Sequence, residues 1–289
     1  MEKGQEIMST NKQSNPRVWF ITGISRGFGR EVALAVLAEG DYVIGTTRDG
    51  KSDMSSDRLS VLALDVNQAK DVAAVIARAW AIHNRIDVVL NNAGFGVLGA
   101  VEEVEEQEAR RVLDTNFFGT FHVIHAVLPF LRGQGQGHIL NVSSIGGIAG
   151  ATGYGLYCAS KFAVEGLSEA LASEIKPFGI RVTIIEPGYF RTDFLSGSSL
   201  LRAGRVIEAY ASTSGKTRAT ADARDGRQPG DPALAAKAII SVTRTAEPPL
   251  RLILGADALE GVRAKLAQVT HDLETWQATS TSTAFPESN

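Results

Sequence analysis

Arg17-Val-Trp-Phe-Ile-Thr-Gly-Ile-Ser-Arg-Gly-Phe-Gly29 is an apolar run that breaks into three glycines and then enters an amphipathic stretch from Arg30 to Glu39. An apolar run, glycines and then helical periodicity predict a buried strand, a tight turn and a helix N-terminus. Gly23, Gly27 and Gly29 let the backbone take positive φ and approach a ligand closely, and the free N–H groups that open a helix favour a pyrophosphate. The spacing Gly-x-x-x-Gly-x-Gly differs from the Gly-x-Gly-x-x-Gly dinucleotide fingerprint, so the turn alone also fits a plain strand-to-helix connection. Strand-like runs keep alternating with helical stretches as far as residue 254, which specifies an α/β fold with a doubly wound parallel sheet. The chain has 289 residues, 44% of them hydrophobic. One domain is the natural reading, since ~200–250 residues is routine for a single domain of this class.

The next strand-like run, Tyr42 to Thr46, bears on which nucleotide fits. A carboxylate about 20 residues past the glycines is the group that binds a ribose 2′-hydroxyl. Here Thr47 holds that region and Arg48 follows. A guanidinium is permanently charged and matches phosphate geometry, so Arg48 suits a 2′-phosphate, and Arg26 in the glycine turn can supply a second cation. NADP(H) is therefore expected over NAD(H). Asp49 keeps the alternative open, because a one-residue shift of the strand end would bring its carboxylate to the ribose.

A second chemical signal is Tyr157-Cys-Ala-Ser-Lys161, with Ser144 upstream of it. Residues i and i+4 share a helix face, so Lys161 can sit beside the Tyr157 ring and favour its phenolate. An unassisted tyrosine, with a pKa near ~10, is a poor acid-base catalyst at neutral pH and needs such a partner. Taken alone, the pair also fits a decorated helix surface. Ser144 follows the apolar run Ile139 to Val142 and falls at the carboxyl edge of the sheet, where ligands of doubly wound folds bind.

These stretches together resemble the short-chain dehydrogenase/reductase family in its single-domain, Rossmann-type form, over nearly the whole chain. Thr22-Gly23-Ile-Ser25-Arg26-Gly27-Phe28-Gly29 resembles the cofactor glycine motif, and Asn91-Asn92-Ala93-Gly94 the motif that ends the fourth strand. Asp65-Val66 matches the pair that meets adenine, and Pro187-Gly188 with Thr192 the segment that closes over the nicotinamide. Asn116, Ser144, Tyr157 and Lys161 align with the catalytic tetrad. The resemblance implies hydride transfer between NADP(H) and a carbonyl or alcohol, with no metal. Ser144 would hydrogen-bond the substrate oxygen, Tyr157 would move the proton, Lys161 would lower the Tyr157 pKa and hold the nicotinamide ribose, and Asn116 would hold a water of the proton relay. Asn116 falls within an apolar helix, Val112 to Leu131, where a buried amide satisfied by backbone is the other reading. The family's substrate lid corresponds here to Phe194–Gly230, a stretch interrupted by Gly204, Gly215, Gly226 and Gly230. Its Phe194, Leu195, Leu200, Leu201, Val206, Ile207 and Tyr210 either line a lipophilic pocket or pack the lid onto the core.

Composition narrows the remaining classes. A net charge of −3 gives no electrostatic case for nucleic acid. The single cysteine, Cys158, excludes an intrachain disulfide or a cysteine metal cluster and reads as a small packing residue. His122 and His125 are three apart on a helix but find no third ligand at suitable spacing, so no metal is expected. Met1 to Pro16 is polar, without an apolar core or cleavage pattern, and is expected as a disordered leader with no export. Phe117 to Leu131 is too short to span a bilayer, so no membrane association and a cytoplasmic location follow. Ala258 to Gln268 predicts a last amphipathic helix, with the domain ending near residue 275 and a frayed tail over 276–289.

The rival from another class is a nucleotide-binding regulatory protein that kept the fold and lost turnover. Among enzymes, the alternative is an NAD-dependent alcohol or steroid dehydrogenase that uses Asp49. Thr115–Leu131 and Tyr157–Ile175, the latter carrying Phe162, Leu167 and Leu171, are apolar on more than one side, which predicts a homodimer or homotetramer built on these helices.

Overall fold

Val18–Thr22 is buried at every position, as a strand covered on both faces must be, and forms β1. The computed structural model describes residues 15–196 and 199–285, so nearly all of the expected leader and the last four residues lie outside the described residues. After β1 come α1 (Gly27–Ala38), β2 (Tyr42–Thr47), β3 (Leu59–Ala63), α2 (Ala69–His83), β4 (Val88–Asn91) and β5 (Gly96–Leu98). The middle of the chain gives α3 (Glu106–Leu113), α4 (Gly119–Gln134), β6 (Gly137–Val142), α5 (Gly155–Ile175) and β7 (Ile180–Pro187). The last part gives β8 (Leu200–Arg202), α6 (Lys216–Arg224), α7 (Pro232–Val242), β9 (Arg251–Leu254) and α8 (Ala256–Thr281).

Seven strands form one parallel sheet in the order β3-β2-β1-β4-β6-β7-β9. The order reverses between β1 and β4, and doubly wound sheets bind ligands in the crevice that this opens at the carboxyl edge. Pairing registers bring Thr22 level with Thr46, and Val142 level with Ile185, so the strand ends share that edge. Each face has its own core. Val32, Ala33 and Val36 of α1 meet Ala236, Ile239 and Ile240 of α7 on one side. On the other, Val72, Val75 and Ile76 of α2 pack with Val123, Val127 and Leu131 of α4 and with Leu171 and Ile175 of α5. No described helix is long and apolar enough to cross a membrane.

Four local expectations are corrected. β2 extends one residue further, to Thr47. The helix expected over Val112–Leu131 is two helices joined by a π-helical turn, Asp114–Phe118, which places Asn116 at 1% exposure. The wider turn inserts a residue and re-aims the side chains around it, a device that recurs at functional sites. Leu167 and Leu171 pack inward against the core, which leaves Phe162 of α5 with Phe118 and Phe121 as the outward aromatics. Finally α8 runs unbroken to Thr281, past both Gln268 and the residue 275 boundary.

Candidate active site

The glycine turn is built around Thr22 and Asn92. The Thr22 hydroxyl accepts from the N–H groups of Asn92 and Ala93, both at 3.0 Å, and Asn92 Nδ2 donates to the carbonyls of Thr22 (3.0 Å) and Gly23 (2.9 Å). A Cβ on Gly29 would lie 2.2 Å from the Gly23 carbonyl oxygen and 2.4 Å from Asn92 Nδ2, so only glycine lets α1 start this close to β1. At Gly27 the demand is conformational: its φ is +60°, while an added Cβ would only reach ordinary contact with Thr192 Cβ at 3.9 Å. No side chain caps the start of α1, which leaves its N–H groups to an anion. Phe28 stacks edge-on against Phe190 with centroids 5.1 Å apart and shapes the rim.

One cavity of about 720 Å³ runs along the carboxyl edge of the sheet. Gly23, Ser25, Arg26, Gly27, Phe28, Arg48, Asp65, Val66, Asn92, Ala93 and Gly94 line one part of it. Ser144, Tyr157, Lys161, Pro187, Gly188 and Thr192 line the rest. Gly29 and Asn116, the two remaining sequence candidates, stand behind this surface. Asp49 turns away from it: its Oδ1 accepts from the Lys51 N–H at 3.1 Å and lies 3.2 Å from Thr47 Oγ. The Lys51 N–H holds the Asp49 carboxyl below the usual carboxylate range. A glycine turn, an uncapped helix start and two guanidiniums along one part of the cavity fit a dinucleotide.

At the other end Ser144 and Tyr157 are nearly covered, and Lys161 is buried. Ser144 caps the short 3₁₀ turn Ile145–Gly147, its Oγ accepting from the Gly146 N–H at 3.1 Å. Lys161 Nζ donates to the Val142 carbonyl at 2.8 Å and stands 5.8 Å from the centre of the Tyr157 ring. Burial raises the Tyr157 phenol well above its ordinary value, opposed by a hydrogen bond with Ser144. The net direction is opposite to the lowering expected from the Tyr-Lys spacing, because loss of solvent outweighs the Ser144 hydrogen bond. Burial also pulls Lys161 down to about 8, against the favourable charge of Glu165. The site therefore holds a neutral phenol beside an ammonium whose charge is easily lost.

Asn116 acts as a brace. Its Oδ1 accepts from the Phe95 N–H at 3.0 Å, and its Nδ2 donates to the Phe95 carbonyl and to Ser160 Oγ, both at 2.9 Å. The amide is satisfied by the protein itself, the second reading open in the sequence. It still abuts the site, since a Cβ on Gly94 would lie 2.9 Å from Asn116 Oδ1 and 3.7 Å from Lys161 Nζ.

The segment expected as a lid borders the Tyr157 end of the cavity. Tyr157, Tyr154, Leu195 and Leu200 share a small buried cluster, and the rings of Phe194 and Tyr157 are 5.5 Å apart. Phe194, Leu195 and Leu201 face the cavity, whereas Leu200 packs inward and Val206 is exposed, so the lid's apolar groups do both jobs. Sequence reasoning missed what holds the lid down. Glu103, fully covered, accepts from the N–H groups of Ala100 (2.7 Å) and Ile207 (2.9 Å), from Ser214 Oγ (3.1 Å) and from Arg218 through Nη1 (2.6 Å) and Nη2 (3.2 Å). Arg218 holds the Glu103 carboxyl down at about 2. Glu102 adds a hydrogen bond from the Tyr210 hydroxyl at 2.7 Å. The acidic run Glu102-Glu103-Val-Glu105-Glu106 was the available signal. Cys158 is a buried thiol, pushed up by burial, and His122 Nδ1 lies 2.9 Å from the Val66 carbonyl oxygen.

A doubly wound parallel sheet with a phosphate-sized glycine turn and a Tyr-Ser-Lys cluster on one edge defines an oxidoreductase built on a nucleotide fold. The chain belongs to the short-chain dehydrogenase family, whose model matches residues 17–200. It is 37% identical over 274 residues to an oxidoreductase, BOA17, of Botryotinia fuckeliana, covering 93% of this chain and 99% of that protein. It is 36% identical over 240 residues to a 3-ketodihydrosphingosine reductase of Bacteroides thetaiotaomicron, covering 83% of this chain and 88% of the relative. A solved short-chain dehydrogenase from Streptomyces avermitilis superposes with a TM-score of 0.87 at 40% identity, over 93% of this chain and 100% of that one.

Proposed function

We propose that the protein is a cytoplasmic NADP(H)-dependent oxidoreductase that interconverts a ketone or aldehyde and its alcohol on a small, largely apolar molecule. The observation that carries this reading is the convergence of Ser144, Tyr157 and Lys161 on the cavity that also holds the glycine turn and Arg48. When bound, the nicotinamide supplies or accepts the hydride. In reduction, Ser144 donates a hydrogen bond to the substrate oxygen, Tyr157 delivers its proton to the developing alkoxide, and the Lys161 ammonium stabilises the phenolate left behind. Asn116 positions the loop at Phe95 and Ser160, and through Ser160 the helix that carries Tyr157 and Lys161. Phe194, Leu195 and Leu201 support an apolar substrate, and the resemblance to a 3-ketodihydrosphingosine reductase supports a carbonyl group on it. Outward-facing Phe118, Phe121 and Phe162 support a homo-oligomer built on α4 and α5.

The test is to mix the purified protein with NADPH or NADH and a panel of carbonyls and follow absorbance at the nicotinamide band. Turnover on no carbonyl, with either cofactor bound, would favour the regulatory alternative. Support for NADP(H) over NAD(H) comes from Arg48, which lines the cavity, and from Asp49, which faces its own loop. Arg48→Ala is expected to weaken NADPH by about 1.5–3 kcal/mol, one to two decades in affinity, and to leave NADH nearly unchanged. Equal losses for both cofactors in a binding titration would refute the phosphate role.

A pH profile follows from Lys161. Its ammonium persists below about 8 and is lost above, while the buried Tyr157 phenol stays protonated. kcat/KM for carbonyl reduction should be level up to that pH and decline beyond it. Lys161→Arg, which cannot lose its charge in this range, should move the decline upward. A profile that keeps the same inflection in the arginine variant assigns it to another group.

A further inference from the structure

Helix α8 leaves the body of the protein and keeps going. Ala258 and Val262 are buried against the domain, but from Leu266 to Thr281 every residue is exposed. The helix has 26 residues, ~39 Å at the usual rise. Nothing on its own surface explains its persistence. Among the described residues no ion pair involves α8, and the side chain–side chain hydrogen bond beyond the body is Gln268 Nε2 to Asp272 Oδ1, 3.0 Å. A helix without tertiary packing is marginal in water, so a partner surface is called for.

The sequence states what kind. Leu259, Val262, Leu266, Val269, Leu273 and Trp276 recur at alternating steps of three and four, a heptad seam of a and d positions. Beyond the body these groups are bare: Leu266 is 58% exposed, Val269 38%, Leu273 67% and Trp276 62%. The stripe is the narrow one of a helix pair rather than the broad face of a core helix, and Glu260, Gln268, His271 and Glu274 lie away from it.

We infer that α8 pairs with α8 of a second copy of this chain as an antiparallel coiled coil. Charge sets the direction. With Leu266 set against Val269 of the second copy, Leu259 meets Trp276, and the two-fold axis repeats both layers, while Leu273 falls level with Val262, which the domain already covers. The same register brings Lys265 beside Asp272 of the second copy, and the two-fold axis repeats the pair. A parallel pairing sets Lys265 beside Thr270 and Asp272 beside Gln277, with no complementary charge. Leu259, at 41% exposure, remains open to receive the incoming tryptophan. A lipid surface fits less well: α8 offers Arg263 and Lys265 against Glu260, Asp272 and Glu274, whereas interfacial helices are rich in basic residues. Such an interface is isologous and separate from α4 and α5.

Sedimentation of the full chain and its Leu266→Glu/Leu273→Glu variant at micromolar concentration tests the pairing. Both positions lie beyond the body, so the domain and its basal activity are expected to be unchanged while the mass falls to half that of the parent. Lys265→Asp and Asp272→Lys should each weaken association roughly tenfold by reversing two pairs at once, and the two together should restore it. Equal mass for parent and variant overturns the inference. So does a charge swap that fails to restore association. So does α8-dependent binding to phosphatidylcholine or phosphatidylglycerol vesicles without a change of mass.

Discussion

Tyr157→Phe is expected to keep the fold and cofactor binding while lowering turnover by ~10²–10⁴, the range for a lost general acid or base. The ring's contacts survive the change: Phe194 at 5.5 Å and Tyr154 at 6.3 Å between centroids meet carbon, not oxygen. What goes is the phenol hydroxyl that lines the cavity beside Ser144 and is assigned to give a proton to a developing alkoxide. Because the wild-type phenol is held neutral by burial, the variant loses a donor and not a charge, and the pocket's electrostatics change little. kcat and kcat/KM should therefore fall together, the signature of an interaction made only in the transition state. Lys161→Ala should cost turnover comparably but should also weaken the cofactor, because Lys161 is assigned both the phenolate and the nicotinamide ribose. Steady-state rates with a parallel cofactor titration separate the two variants. A Tyr157→Phe enzyme within a few-fold of the parent would remove Tyr157 from the chemistry.

Much of this site was legible because its signals are local. Three glycines after an apolar run, Asn91-Asn92-Ala93-Gly94 at a strand end and the Tyr157-Lys161 pair each declare themselves within a few residues. The structure brings them together because parallel strands deliver their carboxyl ends to one edge. What stayed hidden depends on depth or on distant partners. The spacing of Tyr157 and Lys161 implied a lowered phenol, but burial is a tertiary property and reversed the sign. The π-helical turn at Asp114–Phe118 has no proline or glycine to announce it. The seam of α8 was read only to Gln268, because polar residues surround its later apolar positions. Glu103 looks like its neighbours Glu102 and Glu105, and only the fold shows that it alone is sealed against Arg218, 115 residues away.

Glu103→Ala is expected to undock the lid. The carboxylate gathers two backbone N–H groups, the Ser214 hydroxyl and both Nη atoms of Arg218, and so ties the segment after β5 to the loop at Ile207 and the start of α6. Removing one partner of a covered ion pair costs ~3–5 kcal/mol, because the other is left unpaired. Here about 3 kcal/mol is the better figure, since Glu103 lies close to the surface and the Arg218 side chain keeps 17% of its exposure. The ladder of β5 with β8 remains, so the loss falls on the outer lid and not on the sheet. Hydrogen exchange should therefore quicken over residues 203–224 while the strands keep their protection. If the lid shapes the substrate side of the cavity, KM should rise more than kcat falls. The same pair sets an acid limit. A carboxyl lowered from 4.5 to about 2 stabilises the docked lid fully above pH 4.5, and that contribution is lost as the pH falls toward 2. Protection of the lid amides, with the pH dependence of intrinsic exchange divided out, should thus be steady from neutrality to about pH 5 and fall below it in the parent, but not in Glu103→Gln, which has no proton to take up. An equal loss of protection in acid in the glutamine variant would assign the lid's stability to other groups.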